Sequence, residues 1–306
     1  MSRKAIMRMN PAGWVLVCAC IFTVTITFAG QPAFAQSKST QQNSSQKQEQ
    51  PKGKSFATPE AAADALYVAA KQNNEQELMV ILGPDAKDIV MWSDDPNQRE
   101  EQRHQFADKY GQMHRLSKEP DNTVALYVGA ENWPLPIPIV EYNGAWYFDA
   151  DMGKQEIMYR RIGRNETEAL EVCHALVDAE KEFYSGSHQY TVKFISDGNS
   201  HDGLYWKSEG TNKSPIGPYL AHAGVSGPGS GETPYHGYYY RILLNSGSQS
   251  GFAVLAFPAA YRSSGVMTFL VNQNGDAYEK NLGQDTTAAA GEITSYNPDS
   301  SWKKAE

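Results

Sequence analysis

Apolar residues recur every three or four positions along one central segment, residues 160–184. The apolar positions of this segment are Ala169, Val172, Leu176, Ala179 and Phe183. This period places them on one side of a helix, while Glu168, Glu171, Asp178 and Lys181 lie elsewhere. No Gly or Pro interrupts residues 164–185, and Gly186 follows. We therefore predict a long amphipathic helix that ends there and packs its apolar side on a sheet.

Three shorter helices are predicted before this central helix. The first begins after Thr58, the second lies between Asn74 and Gly83, and the third begins after Asp95 and ends near Gly111. Thr and Asp side chains are favoured as helix N-caps, and a proline follows both of them in the sequence, where it suits the first helical turn. Each of these helices contains apolar residues at helical spacing.

The rest of the apolar pattern predicts short strands bounded by turn residues. Two groups of four strands are expected, at residues 113–116, 123–128, 137–142 and 145–148, and then at 238–244, 252–257, 266–272 and 277–282. Asn143 and Gly144 predict a type I′ hairpin turn. Residues 185–237 show no clear period and are rich in Gly, Ser and Pro. The predicted fold class is α+β: helices with an antiparallel sheet, then a long helix on an antiparallel meander.

The first 35 residues have the pattern of an export signal. Basic residues precede an apolar run at 12–28, and a small-residue pattern then ends at Ala35. This is the order of a signal peptide that is cleaved after Ala35. An uncleaved anchor is the alternative, because a membrane span needs roughly 20 apolar residues. We expect a periplasmic or secreted protein with no membrane span after cleavage.

Composition and charge restrict the organisation and the possible partners of the chain that follows the signal peptide. Residues 36–54 contain no large apolar side chain, which predicts a disordered linker before two units at 55–158 and 159–306. The net charge of −8 argues against a nucleic-acid partner. After cleavage Cys173 is the single cysteine, so an intramolecular disulfide is excluded. Its place on the apolar side of the central helix predicts a buried thiol.

The order of elements carries two fold resemblances. Three helices followed by an antiparallel sheet, at about residues 55–157, are similar to the cystatin-like or nuclear-transport-factor-2-like cone. One long helix followed by an antiparallel meander, at about 160–282, resembles the globular head of type IV pilins and pseudopilins. The pilin assembly helix and its cleavage site are missing, and another unit precedes the long helix. The second resemblance therefore implies a shape and not a filament.

Six short segments carry a resemblance that spans the chain. They are FATPE at 56–60, NWPLPIP at 132–138, RIGRNE at 161–166, YYYR at 238–241, GVMTF at 265–269 and NPDSSW at 297–302. Together they resemble the bacterial exported family catalogued as domain of unknown function 2950. That family has no established activity. The resemblance implies an envelope location and a shared fold, and it transfers no catalytic residue.

Searches for catalytic and metal motifs predict no cofactor and no metal. The glycine-rich residues 224–232 miss the G-x-S-x-G pattern of serine hydrolases. Four histidines in or beside the irregular stretch could gather around a transition metal, but solvated loop histidines are the favoured interpretation: His188, His201, His222 and His236. Residues 197–202 alternate oxygen-bearing side chains as a calcium loop does. They lack the fixed glycine and distal glutamate of an EF-hand, which favours an Asx-rich turn.

A ligand site is predicted at the end of the first sheet. Asp149 and Asp151 follow the strand 145–148, and a period of two would place both carboxylates on one face, where they could act as acid and base. The alternative is that they cap or flank the next helix. Aromatic walls for a small ligand or glycan could come from Trp133, Tyr142 and Trp146.

A partner surface is predicted at Tyr235, Tyr238 and Tyr240, since tyrosine offers a large area with a polar tip. Alternation places Tyr238 and Tyr240 on one face and Tyr239 on the other, so part of the set should be packing. We interpret the protein as a non-catalytic binding or assembly component of the cell envelope, with an envelope protein or glycan as partner. The alternative is a small-ligand binder or hydrolase that uses Asp149 and Asp151.

Overall fold

The helices and strands of the chain form two successive α+β blocks, as the predicted class requires. The structure is a computed structural model that describes residues 51–198, 200–207, 213–224, 233–245 and 251–305. The first block contains four α-helices, α1 (Pro59–Lys71), α2 (Glu75–Leu82), α3 (Lys87–Val90) and α4 (Pro96–Gln112), and a 3-10 helix at Pro84–Ala86. Its strands are β1 (His114–Lys118), β2 (Val124–Val128), β3 (Trp133–Pro134), β4 (Ile139–Tyr142) and β5 (Ala145–Phe148).

Three of these helices begin with a side-chain cap, and two of the caps, Thr58 and Asp95, are the predicted ones. Thr58, Asn74 and Asp95 each accept, through a side-chain oxygen, a hydrogen bond of 2.9–3.2 Å from a backbone N–H two or three residues later. Such bonds satisfy donors that the first helical turn leaves without a partner. Gly83 follows α2 with φ +86°, a conformation that a residue with a side chain rarely adopts.

The first sheet is antiparallel, with the order β1-β2-β4-β5 and β3 beside β2. Asn143 and Gly144 join β4 to β5, and both have positive φ, at 52° and 77°. These values fit the predicted type I′ turn. The helices cover this sheet with a core whose largest buried side chains include Ile81, Leu126, Ile139 and Phe148.

The central helix, α5 (Ala150–Ser187), has 38 residues and begins ten residues before the predicted start. Gly153 lies in the first turns of α5. A side chain at this position would collide with Ile137, because an added Cβ would lie 2.8 Å from Cγ1 of that residue. The helix passes Gly186 and ends at Ser187, and the next residue, His188, has a left-handed backbone with φ 58°. The helix predicted to stop before Gly186 is therefore two residues longer than expected.

The second sheet is also antiparallel and has the order β10-β9-β8-β7-β6. Its strands are β6 (Tyr238–Leu244), β7 (Phe252–Pro258), β8 (Thr268–Asn272), β9 (Ala277–Lys280) and β10 (Lys303–Lys304). Two short helices, α6 (Pro218–Ala221) and α7 (Thr286–Gly291), belong to the same block. Every residue of β7 is buried, which explains the continuous apolar run in its sequence.

The apolar side of α5 packs on one face of the second sheet. Cys173 and Leu176 are fully buried there with Val254 and Phe252, and α7 contributes Ala290 to the core on the opposite face. The prediction of a buried Cys173 thiol is confirmed, and this burial raises the pKa of the thiol. Within the described ranges, no helix is both long and apolar enough to cross a membrane.

Candidate functional site

The predicted aromatic walls lie in different parts of the first sheet. Trp133 lies on β3, is 42% exposed, and has the guanidinium of Arg160 at 5.4 Å from its ring centroid. Trp146 lies on β5, and its backbone exchanges two 2.8 Å hydrogen bonds with Phe56. Tyr142 is the last residue of β4, beside the hairpin turn. Trp133 therefore belongs to the contact with α5, and Trp146 to the contact with the N-terminal segment.

Asp149 and Asp151 do not share a sheet face, because the chain changes from strand to helix at Asp149. The Oδ1 atom of Asp149 accepts a 2.9 Å hydrogen bond from the backbone N–H of Met152 and caps α5. Asp151 lies in the first turn of α5, and its Oδ1 is 2.8 Å from Nζ of Lys154. The expectation of a shared face is wrong, and the alternative that the two residues cap and flank the next helix is confirmed.

Tyr238 and Tyr240 are core residues. Both are 0% exposed, and burial raises the pKa of both phenols. The hydroxyl of Tyr238 donates to the carbonyl of Met267 at 2.8 Å, and that of Tyr240 donates to the carbonyl of Tyr235 at 3.2 Å. The expected partner surface is therefore wrong for these two residues. Tyr235 itself is half-buried against the same core.

No metal centre forms among the histidines and acidic residues that the structure describes, since no group of three or more could hold an ion. His236 instead pairs through Nδ1 with Oε2 of Glu168, at 2.6 Å. His201 stacks on Trp206, with 4.6 Å between ring centroids. Asn199 and residues 225–232, which include most of the glycine-rich segment, lie outside the described residues.

The loop with calcium-like spacing is held by a lysine. Nζ of Lys193 lies 2.5 Å from Oδ2 of Asp197 and also contacts Oδ2 of Asp202. Asp202 further accepts hydrogen bonds from the backbone N–H of Asp197 and from the hydroxyl of Ser200. These contacts, with Lys193 first, lower the pKa of the Asp202 carboxyl. The ammonium group of Lys193 thus pairs with the carboxylates of both Asp197 and Asp202. This arrangement agrees with the interpretation of the loop as an Asx-rich turn.

Two arginines of α4 line an open groove beside the first turn of α2, which we call the arginine groove. Its volume is about 540 Å³, and its lining includes Asn73, Asn74, Glu75, Gln76, Arg99 and Arg103. Oε1 of Glu75 lies 2.8 Å from Nε of Arg99 and 3.0 Å from Nη1 of Arg103. The hydrogen bond from Arg99, together with both positive charges, lowers the pKa of the Glu75 carboxyl. One carboxylate is thus shared by two cations.

Further hydrogen bonds hold both guanidinium groups in place. Nη1 of Arg99 donates to the carbonyl of Ser93 at 2.6 Å, and Nε of Arg103 donates to Oδ1 of Asn73 at 2.5 Å. Each arginine side chain is only 10% exposed. Neither Nη2 atom makes a hydrogen bond within the part of the chain that the structure describes. The arginines are therefore positioned by some of their donors, and their Nη2 groups have no acceptor in the described part of the chain.

The sequence reasoning missed this groove. Arg99 and Arg103 are four residues apart, so they share one face of α4, but the surrounding charges are typical of a solvated helix face. Asn73 and Glu75 come from a different part of the chain, and the contact between α1 and α4 brings them close. The i, i+4 spacing of the two arginines is visible in the sequence. The sequence does not show that Asn73 and Glu75 are their partners.

A second set of contacts surrounds the middle of α5 and involves three of the six segments noted in the sequence: RIGRNE, GVMTF and NWPLPIP. Oε1 of Glu166 accepts hydrogen bonds from the backbone N–H groups of Val266 and Met267, at 2.8 and 3.0 Å. Nδ2 of Asn165 donates to the carbonyl of Ser264 at 2.7 Å. Nearby, Arg160 donates to the carbonyl of Pro134 at 2.7 Å. Segments far apart in sequence are thus fixed to one helix.

A model of the family described as "Protein of unknown function (DUF2950)" matches residues 53–305. The chain belongs to the DUF2950 family. Comparison with curated proteins and with solved structures finds no match. The likenesses to the cystatin or nuclear-transport-factor-2 cone and to the pilin head therefore stay interpretations. In this DUF2950 protein the RIGRNE segment of α5 makes internal contacts through Asn165 and Glu166.

Proposed function

We propose that this DUF2950 protein is an exported, non-catalytic binding component of the bacterial cell envelope, and that it binds its ligand in the arginine groove. The observation that carries the proposal is the pair Arg99 and Arg103. Two guanidinium groups on side chains that are 10% exposed line an open groove and share one carboxylate. Buried charges cost free energy unless they are paired, so two nearly buried guanidinium groups that share the carboxylate of Glu75 favour a ligand-binding role.

The envelope location rests on the first part of the sequence. Basic residues, an apolar run and a small-residue pattern that ends at Ala35 are typical of a cleaved signal peptide. The polar residues 36–54 then suit a tether between the membrane exit and the folded part. A periplasmic or secreted location follows, with an envelope glycan or protein as the source of the ligand.

Binding is favoured over catalysis by the positions of the candidate catalytic groups. The carboxylate of Asp149 caps α5, and that of Asp151 pairs with Lys154. The thiol of Cys173 is buried in the core. These groups have structural roles, whereas donors of the arginine groove remain unused.

The test is capture of an envelope component with and without a blocked groove. Gln76 is exposed at the lip of the groove, so Gln76→Trp should fill the space and leave the pairs of Glu75 with Arg99 and Arg103 intact. Gln105→Trp is the matched control, because Gln105 is exposed on α4 outside the groove. The protein is recovered from the envelope fraction of cells, immobilised, and exposed to labelled envelope extract.

The wild-type protein and Gln105→Trp should retain the same envelope component, and Gln76→Trp should lose it. Equal retention by all three proteins would show that the groove is not the binding site. Recovery of the protein in the cytosol alone would contradict the export part of the proposal. Circular dichroism of each variant checks that the fold is retained.

A further inference from the structure

We infer that the ligand of the arginine groove is an acidic saccharide, whose carboxylate or phosphate group binds to Arg99 and Arg103. This inference rests on the proposed binding function and adds the chemical class of the ligand. Three features of the groove support it: its charge, its unused donors, and the side chains that surround them.

The charge of the groove favours an anion. Arg99 and Arg103 supply two positive charges, and Glu75 neutralises one of them. Glu100 also lines the groove, but its side chain is 48% exposed and faces His104 at 3.4 Å. Solvent screens such an exposed carboxylate more than it screens the nearly buried arginines. An oxyanion in the groove would therefore complete the pairing of the second guanidinium.

The donors of the groove suit an oxyanion. The Nη2 groups of Arg99 and Arg103 make no hydrogen bond within the described ranges. The backbone N–H groups of Glu75 and Gln76 are the first two of α2, so they have no acceptor within the helix. A helix start and planar guanidinium groups together bind the oxygens of carboxylates and phosphates. The four residues that carry these donor groups, from two elements, all line one groove.

The remaining side chains of the groove suit a sugar. The amide side chains of Gln72, Asn73, Asn74 and Gln76 border it. Each amide carries both donors and an acceptor, as hydroxyl groups require. A volume of about 540 Å³ lies within the usual range for small-molecule sites.

A neighbouring groove extends this space. Its volume is about 430 Å³, and it shares Gln72 and Asn74 with the arginine groove. Val68 is exposed there at 47%, between Asp64 on α1 and Glu77 on α2. The carboxylates of Asp64 and Glu77 already have partners, the hydroxyl of Tyr110 at 2.7 Å and Nζ of Lys54 at 2.8 Å. The groups that suit an anion therefore lie in the arginine groove.

The experiment is a calorimetric titration of the purified protein with four probes at low salt: glucuronate, glucose 6-phosphate, glucose and inorganic phosphate. Glucuronate and glucose 6-phosphate should each bind about tenfold or more tightly than glucose, because the charged hydrogen bonds are the stronger ones. The preference between these two sugars identifies carboxylate or phosphate as the source of the charge. Added salt should weaken both.

Arg103→Gln should lower the affinity for both acidic sugars by about tenfold or more and should lower the affinity for glucose less, through the lost hydrogen bond to Asn73. Arg115→Gln is a matched control, because Arg115 also donates through Nε to an asparagine side chain, that of Asn132, and lies outside the groove. It should change the affinity by less than about twofold. Should Arg103→Gln fail to fold, the side-chain amide signals of Asn73 and Asn74 in the wild-type protein locate the ligand by nuclear magnetic resonance.

Several results would overturn the inference. Equal affinity for glucose and the acidic sugars would remove the role of charge. Inorganic phosphate that binds as tightly as glucose 6-phosphate would remove the role of the sugar. Failure of both acidic sugars to bind, while Gln76→Trp still abolishes capture from envelope extract, would reject the ligand class and leave the proposed function standing. If neither acidic sugar binds and Gln76→Trp also leaves capture from envelope extract unchanged, the proposed function is rejected as well.

Discussion

Glu180 is a fully buried carboxyl group on the apolar side of α5. Its Oε2 accepts a hydrogen bond of 3.3 Å from the backbone N–H of Thr191, and its Oε1 has no hydrogen-bond partner in the described part of the chain. Burial raises the pKa of Glu180 to about 8, and the hydrogen bond from Thr191 acts in the opposite direction. The folded protein therefore keeps this carboxyl protonated at neutral pH.

This raised pKa predicts how stability changes with pH. The ordinary pKa of 4.5 applies to the unfolded chain, so the folded state binds more protons between pH 4.5 and about 8. Stability from this group is complete below pH 4.5 and is lost as the pH rises through that window. The loss is on the order of 4 kcal/mol by pH 8. Glu180→Gln should abolish this pH-dependent loss of stability. The variant should be more stable than the wild-type protein at pH 8, by about 1–3 kcal/mol.

Urea unfolding of both proteins at several pH values from 5 to 8 measures this difference. Glu182→Gln is the control, because Glu182 is exposed on the same helix, and its unfolding midpoint should follow that of the wild-type protein. A difference between Glu180→Gln and the wild-type protein that stays constant across the pH range would contradict the raised pKa.

Single residues also show how far the sequence can be interpreted. The period of α5 places Glu180 four residues after Leu176 and three before Phe183, on the buried side. The pattern thus indicates that Glu180 is buried. It does not show which group contacts the carboxyl, because the hydrogen-bond donor Thr191 lies in the irregular stretch. Arg99 and Arg103 are similar: their spacing is visible, and their shared partner Glu75 follows from the packing of helices.

At the scale of elements, local signals predicted several boundaries but not the start of α5. The caps at Thr58 and Asp95 and the turn at Asn143 act within a few residues, so the sequence near them was sufficient. The start of α5 was missed because Gly153 is unfavourable in a helix by its own propensity. Its close contact with Ile137 belongs to the tertiary fold and explains why the helix includes it.

The two carboxylates at the start of α5 should differ in their effect on stability. Asp149→Ala removes the N-cap hydrogen bond to Met152 and should lower the free energy of unfolding by about 1 kcal/mol. Asp151→Ala removes an ion pair with Lys154 whose aspartate side chain is 64% exposed, so the loss should stay below about 0.5 kcal/mol. Chemical denaturation of the two variants measures both values.

The same pair of variants tests the catalytic alternative. If Asp149 and Asp151 formed an acid and base, both substitutions would abolish any activity or ligand affinity to a similar extent. We expect ligand affinity to be unchanged in Asp151→Ala. We also expect Asp149→Ala to be less stable than Asp151→Ala, because Asp149 is the N-cap of α5. A larger loss of stability in Asp151→Ala than in Asp149→Ala would contradict the assignment of the cap.

At the scale of the whole molecule, one helix takes part in two separate cores. Ala150, at the start of α5, belongs to the core of the first sheet, and residues from Ala169 onward belong to that of the second. The prediction of two units at 55–158 and 159–306 divides the chain inside this helix. Sequence periodicity could not locate this sharing, since each turn of α5 follows the same period whichever sheet it contacts.

Gly163 lies in α5 between these two cores and offers a test of their coupling. It is exposed, and an added Cβ would have no atom within 4 Å, so Gly163→Ala should raise the free energy of unfolding by about 0.5–1 kcal/mol. Gly163→Pro breaks the helix and should cost about 3 kcal/mol or more. If α5 couples the two cores, calorimetry should show one transition for the wild-type and alanine proteins and two for the proline variant. A single transition in the proline variant would mean that the cores are coupled through other contacts.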